Sequence, residues 1–583
     1  MTAVRFHPGR SLVALAGALV AFGASAHAQQ FPSCPLSSSG ADVICGDVSN
    51  SQNYNFVGAL DAVALGTTSC NVGNGILNWL SGTVNHPLMG GEVFKYKVVN
   101  GSGRFEALGQ SWLKHAFTAF QQNLCCSNCA ATDGSHLGPG CSDPYGGGLN
   151  GSQSSLGPKY QANAHTGAYL ASHPTPSGGN NGRIQMLLTE LEPSSASVKY
   201  FGEMMYVALD DAQANNADNN VSYRELSVVT AAGSGGFTFG VLGSTQRMLG
   251  GINAWKVIDP AVTLTTLSVP EGTTAPYDGN ARVILGSRVT NLGGGVWHYE
   301  YALYNQNSDR SIASFTVPVP ASAVVTNIGF RDVAYLGGDG NGSVNFDGTD
   351  WPSSRVGPTL TWATTPFATN NNANALRWGT TYNFRFDANV GPISGTVVLG
   401  QYKVVNDVNA VGVEVPGIPL AFEAFCANAA LGAGSDHTTA CPCGNVGAPG
   451  NGCAHSTSVN GANLNAFGSP AFDTVQLDAT GMPSTAFTLF LQHDATDDAV
   501  FHDGVICAGG TLVRLRGRNA AGGASLFPDP AFPNDATLTL SQRGGVTVGS
   551  GVRRYYSAFY RNASTTFCPP ATANVTNGWK LDW

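Results

Sequence analysis

Residues 296–302 read Val-Trp-His-Tyr-Glu-Tyr-Ala. Trp297, Tyr299 and Tyr301 fall on one side of a two-residue repeat, and His298 and Glu300 on the other. That period belongs to an extended strand, whose successive side chains point to opposite faces. Further along, residues 314–319 (SFTVPV) and 380–386 (TTYNFRF) are rich in β-branched or aromatic residues. Turn signals punctuate the strands, among them Asn291-Leu-Gly-Gly-Gly and Asp339-Gly-Asn-Gly. Many short strands joined by glycine-rich turns, without regularly interposed long helices, predict a sandwich rather than a parallel sheet.

Composition agrees with this. The chain has 583 residues, 11% of them charged, with 74 glycines and 30 prolines. Soluble domains average about 25% charged residues. The formal net charge is −9, which excludes the basic face that nucleic acid demands. A hydrophobic content of 43% is too high for a disordered chain. Glycine without a three-residue period excludes collagen.

The first 28 residues have the plan of a secretory signal: Arg5 and Arg10, an apolar run over 11–24, and Ala26-His27-Ala28 as a cleavage site. No later stretch offers 18 apolar residues in a row, so no membrane span is expected. The 13 cysteines form an early group of seven (34, 45, 70, 125, 126, 129, 141) and a late group of six (426, 441, 443, 453, 507, 568). In an oxidising compartment the late six predict three disulfides, and the early seven leave one thiol over.

The expected architecture is mainly β: two Ig- or jelly-roll-like β-sandwich domains preceded by a cysteine-rich, loop-rich α+β domain. The expected boundaries are a signal peptide over 1–28, a Cys/His-rich domain over 29–182, a cysteine-free sandwich over 183–415 and a disulfide-containing sandwich over 416–583. The first boundary rests on the aperiodic segment ASHPTPSGGNNG at 171–182 and the second on GVEVPGIP near 413–419. Within the first domain, residues 106–124 read as a helix, because Leu108, Trp112, Leu113, Ala116, Phe117 and Phe120 recur at three- and four-residue steps. The strands expected in the last domain include 474–477, 487–492, 511–515, 554–560 and a final strand at 578–583.

The segments WHYEYALYNQNSDRS (297–311), NALRWGTTYNFRFDAN (374–389) and RRYYSAFYRNASTTFC (553–568), with GTTSCNVGN (66–74) and SWLKHAF (111–117), resemble those of large modular secreted proteins of environmental bacteria. The resemblance implies an exported modular architecture and carries no catalytic residues.

No H-E-x-x-H, G-x-S-x-G, Walker or C-x-x-C-H motif occurs, which disfavours the common zinc proteases, α/β-hydrolases, P-loop enzymes and c-type cytochromes. His86, His115, Cys125, Cys126 and Cys129 form one candidate metal set, since imidazole and thiolate suit zinc or copper. The ordinary alternative is that the cysteines pair and the histidines are structural. Asp339, Asn341, Ser343, Asn345 and Asp347 place oxygens at steps of two, the rhythm of a calcium loop. Glycine at the sixth position and glutamate at the twelfth are replaced by Val344 and Asp350. Asp210, Asp211 and Asp218, and the run from His493 to Asp503, are weaker groups of the same kind. Glu190, Glu192, Glu203 and Glu300 are available for glycosidic acid–base chemistry, which only their spacing in space would decide. Two functions follow from this inventory. One is an extracellular binding or attachment protein whose partner is an extracellular polymer or cell-surface component. The other is a secreted metal-dependent hydrolase or oxidase with its chemistry in the N-terminal Cys/His domain.

Overall fold

The computed structural model describes residues 30–583 except 32, 38, 116–117, 171–177, 234, 322, 343, 418–421, 428–435, 469, 471–472, 549, 551 and 569–570. The expected signal peptide, Ala116, Phe117, Ser343 and most of the aperiodic 171–182 segment lie outside the described residues. The chain forms two compact units, Met1–Gly417 and Ile418–Trp583. The fold is mainly β, and the longest helix among the described residues, Asn253–Ile258, has six residues.

In the first unit, strands Val43–Asn53, Leu60–Asn71 and Ile184–Leu187 form one antiparallel sheet, with Ser142–Tyr145 paired to Leu60–Asn71. A second sheet runs Phe237–Val241, Val221–Thr230, Val198–Val207, Leu88–Val99, Leu113–Lys114, Leu156–Gly157, and Ser102–Gln110 also pairs with Leu88–Val99. The third sheet is Thr263–Pro270, Asn280–Gly293, Val296–Asn305, Thr380–Ala388, Val325–Arg331. The fourth is Ser353–Val356, Thr359–Ala363, Ile312–Pro318, Pro392–Gln401, Asp407–Pro416. Sheets three and four are the sandwich that the alternation at 296–302 predicts.

The second sheet is covered on both faces. Val93, Tyr200 and Met204 enter a core shared with Val63 and Leu65 of the first sheet. Phe94, Phe105 and Phe201 enter a core shared with Tyr299, Tyr304, Phe315 and Trp362 of the sandwich. The expected boundary at 182/183 therefore falls inside the first unit, where Ile184–Leu187 and Val198–Val207 complete sheets begun by residues 43–99. Every aromatic side chain buried so completely contributes roughly 1.5–3 kcal/mol of transfer free energy.

The helix expected over 106–124 does not form among the described residues of that stretch. Ser102–Gln110 and Leu113–Lys114 are strands, with a bulge opposite Val93 and Phe94. The bulge buries Ala107 and Leu108 together, which breaks the two-residue alternation and imitates a helical step. Phe120 and Leu124, which the helix would have buried, are 63% and 43% exposed. At Gly109 an added Cβ would lie 2.0 Å from the Gln185 carbonyl oxygen, so the backbones meet only through glycine.

The second unit holds a five-stranded sheet (Phe422–Phe425, Ala573–Asp582, Arg553–Arg561, Phe487–His493, Val513–Asn519) and a three-stranded one (Asn463–Phe467, Gln476–Thr480, Ser525–Phe527). Leu464, Leu477, Phe490, Leu515, Phe527, Tyr556 and Tyr560 fill one core between them. The C-terminal strand is integral: Trp583 is buried and its Nε1 donates to the Tyr556 hydroxyl at 2.8 Å.

Twelve cysteines pair as Cys34–Cys126, Cys70–Cys125, Cys129–Cys141, Cys426–Cys507, Cys441–Cys453 and Cys443–Cys568. The thiol left over among the early seven is Cys45, which is buried. Burial, with Asp47 nearby, pushes its thiol well above the ordinary range, so it behaves as a small apolar side chain rather than a nucleophile.

Candidate functional site

The candidate metal set does not assemble. Cys125, Cys126 and Cys129 are bound in disulfides and have no thiolate to offer a metal. His86 is buried, with Nδ1 2.5 Å from the Pro87 carbonyl oxygen and its ring edge-on to Trp79. His115 lies edge-on to Tyr169, with its backbone N–H donating to Ser155. Neither histidine joins these cysteines in a group of close donor atoms among the described residues. The group that does form is Cys426, His437 and Cys507, whose donor atoms lie within 4.8 Å of one another. Two of its members share a disulfide, so the oxidised protein offers there one imidazole, held by Asp436 at 2.9 Å.

The segment 339–347 is a hydrogen-bonded loop. Asp339 is buried and accepts from Trp112 Nε1 at 2.6 Å and the Leu336 N–H at 3.0 Å. Burial pushes its carboxyl up to about 7. Asn345 accepts the Gly338 N–H, Asp347 accepts from Thr349, and the Asn341 N–H donates to Asn372. Oxygens that a calcium ion would draw on are thus engaged with N–H groups. Asp211 is similar, accepting from the Val43 N–H and Asn220 at 2.8 Å each. Asp498 accepts from the Thr438 and Thr439 N–H groups.

The first unit carries instead an open cleft of about 780 Å³, which no sequence motif marks. The hairpin Leu88–Val99/Ser102–Gln110 supplies Lys95, Lys97, Arg104 and Glu106, and the third sheet supplies Arg331 and Arg385. Glu190, Asp332, Tyr335, Gly348 and Asp350 complete much of the wall. A smaller cavity of about 250 Å³ shares Val99, Arg104 and Arg385 with it and reaches His298, Asn327 and Asp387.

Strand geometry places these charges. Lys95 and Lys97 stand two residues apart, as do Arg104 and Glu106, His298 and Glu300, and Arg385 and Asp387. Each pair therefore shares one face of its strand. Register then sets Lys97 opposite Arg104, Lys95 opposite Glu106, Arg385 opposite Glu300 and His298 opposite Asp387. Gly329 is the other cross-strand neighbour of Arg385, and a Cβ there would lie 2.6 Å from Arg385 Nε. Glycine makes room for the guanidinium.

Most of the charges are paired. Arg331 grips Glu190 through two parallel bonds of 2.8 and 2.5 Å, the strong fork geometry. Lys95 and Lys97 meet Glu192 at 3.2 and 2.7 Å. Arg104 Nε reaches Glu300 at 3.0 Å and Glu106 at 3.6 Å. His298 lies between Asp387 at 2.6 Å and Glu300 at 3.1 Å. Burial opposes its charge, but hydrogen bonds to the two carboxylates outweigh that and hold its pKa above the ordinary value. Burial raises Glu106, against the pull of Arg331 and Arg104. Burial also pushes Asp332 up to about 6, with repulsion from Asp350 adding to it.

Of the four glutamates considered for glycosidic chemistry, Glu190 and Glu300 are tied to arginines and Glu192 to lysines. Glu203 is buried, accepting from Tyr304 at 2.9 Å and the Gly251 N–H at 2.6 Å. Trp79, Trp112, Trp351 and Trp362 are buried core residues. The cleft offers a wall of mixed hydrogen-bond donors and acceptors, its cationic groups standing on strands.

No protein-family model matches this chain, and no characterised protein in the curated set matches it. Among solved structures, the Actinomyces fimbrial adhesin FimA is 12% identical over 55% of this chain and 96% of that chain, with a TM-score of 0.11. That score carries no argument about fold or function.

Proposed function

We propose that this is an exported bacterial binding protein, which holds an extracellular polymer or cell-surface component in the charged cleft of its first unit. The observation that carries the reading is the cleft itself: about 780 Å³, open, and lined by five cationic and four carboxylate side chains, the cationic ones all on antiparallel strands. Concave sites with convergent polar groups are where ligands bind. Mixed donors and acceptors suit a hydroxyl-rich chain, whose groups do both. Six disulfides support export, because such bonds persist in oxidising compartments. No helix among the described residues is long and apolar enough to cross a membrane.

Gly348 lines the cleft, and a Cβ there would meet nothing within 4 Å. Gly348→Trp therefore adds bulk to the cleft wall at a position where a side chain can begin without a clash. The purified mature protein should be retained on extracellular polymer preparations, and this variant should lose at least tenfold in affinity with an unchanged melting temperature. Equal retention of both proteins would contradict the reading.

A further inference from the structure

Two guanidinium groups in the cleft have more donors than partners. Arg104 makes its ion pairs through Nε, and its two Nη groups donate to nothing among the described residues. Arg385 has no ion pair and no side-chain hydrogen bond among the described residues, and its Nη1 is shielded from water without an acceptor. Both residues line the large cleft and the smaller cavity beside it.

This arrangement is costly. A shielded donor without an acceptor destabilises a fold, and more so when it is charged. Burial lowers the pKa of Arg385, and the nearby charge of Arg104 lowers it further. Gly329 nevertheless leaves open the space the guanidinium occupies. An oxyanion between the two arginines would accept from guanidinium N–H groups that line the cleft and relieve their repulsion, and a planar guanidinium fork fits such a group well.

Resting on the binding role above, we propose that Arg385 and Arg104 together receive one oxyanion, a carboxylate or a sulfate, carried on an acidic polysaccharide. Glu106 and Glu190 stand in the same wall and would repel a densely charged polyanion such as nucleic acid. They leave room for a hydroxyl-rich chain with well-spaced acidic groups.

The test is calorimetry of the mature protein with polygalacturonate, dextran sulfate and neutral dextran, using wild type, Arg385→Met and Arg385→Lys. The proposal expects wild type to bind an acidic polymer at least tenfold more tightly than dextran. Arg385→Met should lose that preference while its ligand-free melting temperature stays the same or rises, because a half-buried charge without an ion-pair partner has been removed. Arg385→Lys keeps the charge without the fork and should bind at an intermediate level. Preference for polygalacturonate assigns the group as a carboxylate, and preference for dextran sulfate assigns it as a sulfate. Full affinity in Arg385→Met overturns the proposal. So does a ligand-free loss of stability in Arg385→Met with wild-type binding in Arg385→Lys, which would make the arginine structural. Binding to dextran without acid preference removes the oxyanion site but leaves the cleft's binding role, whereas binding to none of the three removes both.

Discussion

The cysteine-free sandwich of the first unit and the cysteine-rich second unit are both built from paired antiparallel sheets, yet they are held together differently. The sandwich stacks Phe315 on Phe384 at 4.2 Å and Tyr299 on Phe386 at 5.0 Å, inside a core that also takes in Phe94, Phe105 and Phe201 from a third layer. The second unit has a shorter roll of core residues and three disulfides, one of them closing 125 residues. A large shared core stabilises without cross-links, whereas a smaller one gains from restricting its unfolded chain.

The contrast can be broken most directly at its cross-link. In the chain-entropy model, a loop of that length is worth about 5 kcal/mol. Cys443→Ser/Cys568→Ser should therefore open the second unit to limited proteolysis at 37 °C while the first unit stays resistant. Phe315→Ala should cost roughly 3–5 kcal/mol and lower the melting temperature of the first unit while leaving its sheets formed by circular dichroism. A second unit as resistant in the double variant as in wild type would mean its core suffices alone.

A smaller effect sharpens the account of the first unit. Burial raises Asp339 to about 7 and Asp332 to about 6, above the 3.8 of a free aspartate. The folded state thus keeps protons that the unfolded state releases. The stability this contributes is full below about pH 4 and is lost as pH rises through 6 to 7. The first unit should therefore melt at a higher temperature at pH 5 than at pH 8. Asp339→Asn, which can still accept from Trp112, should flatten part of that slope. An unchanged slope in the variant would show that Asp339 is ionised in the folded protein.

The sandwich was legible in the sequence because aromatic and polar residues alternate along its strands, as Trp297, Tyr299 and Tyr301 against His298 and Glu300 show. The strand at 102–110 was not, since its sheet is covered on both faces and its bulge buries Ala107 beside Leu108. Cysteine parity foretold one spare thiol, but parity cannot say that Cys45 is the one. The cleft was invisible for a related reason. Arg104 meets Glu300 across 196 residues, and a charged residue on a strand looks the same whether it faces solvent or a cleft. Glu190 and Glu300 drew notice as carboxylates, while the arginines that neutralise them did not.

In the proposed function, ligand meets the protein at the hairpin 88–110 and the strand 380–388. Amide hydrogen exchange of the whole mature protein, with and without an extracellular polymer, tests it residue by residue. The account predicts added protection in those segments and around 325–335, with the second unit unchanged. Protection confined to the second unit, with the cleft strands exchanging as before, would contradict it.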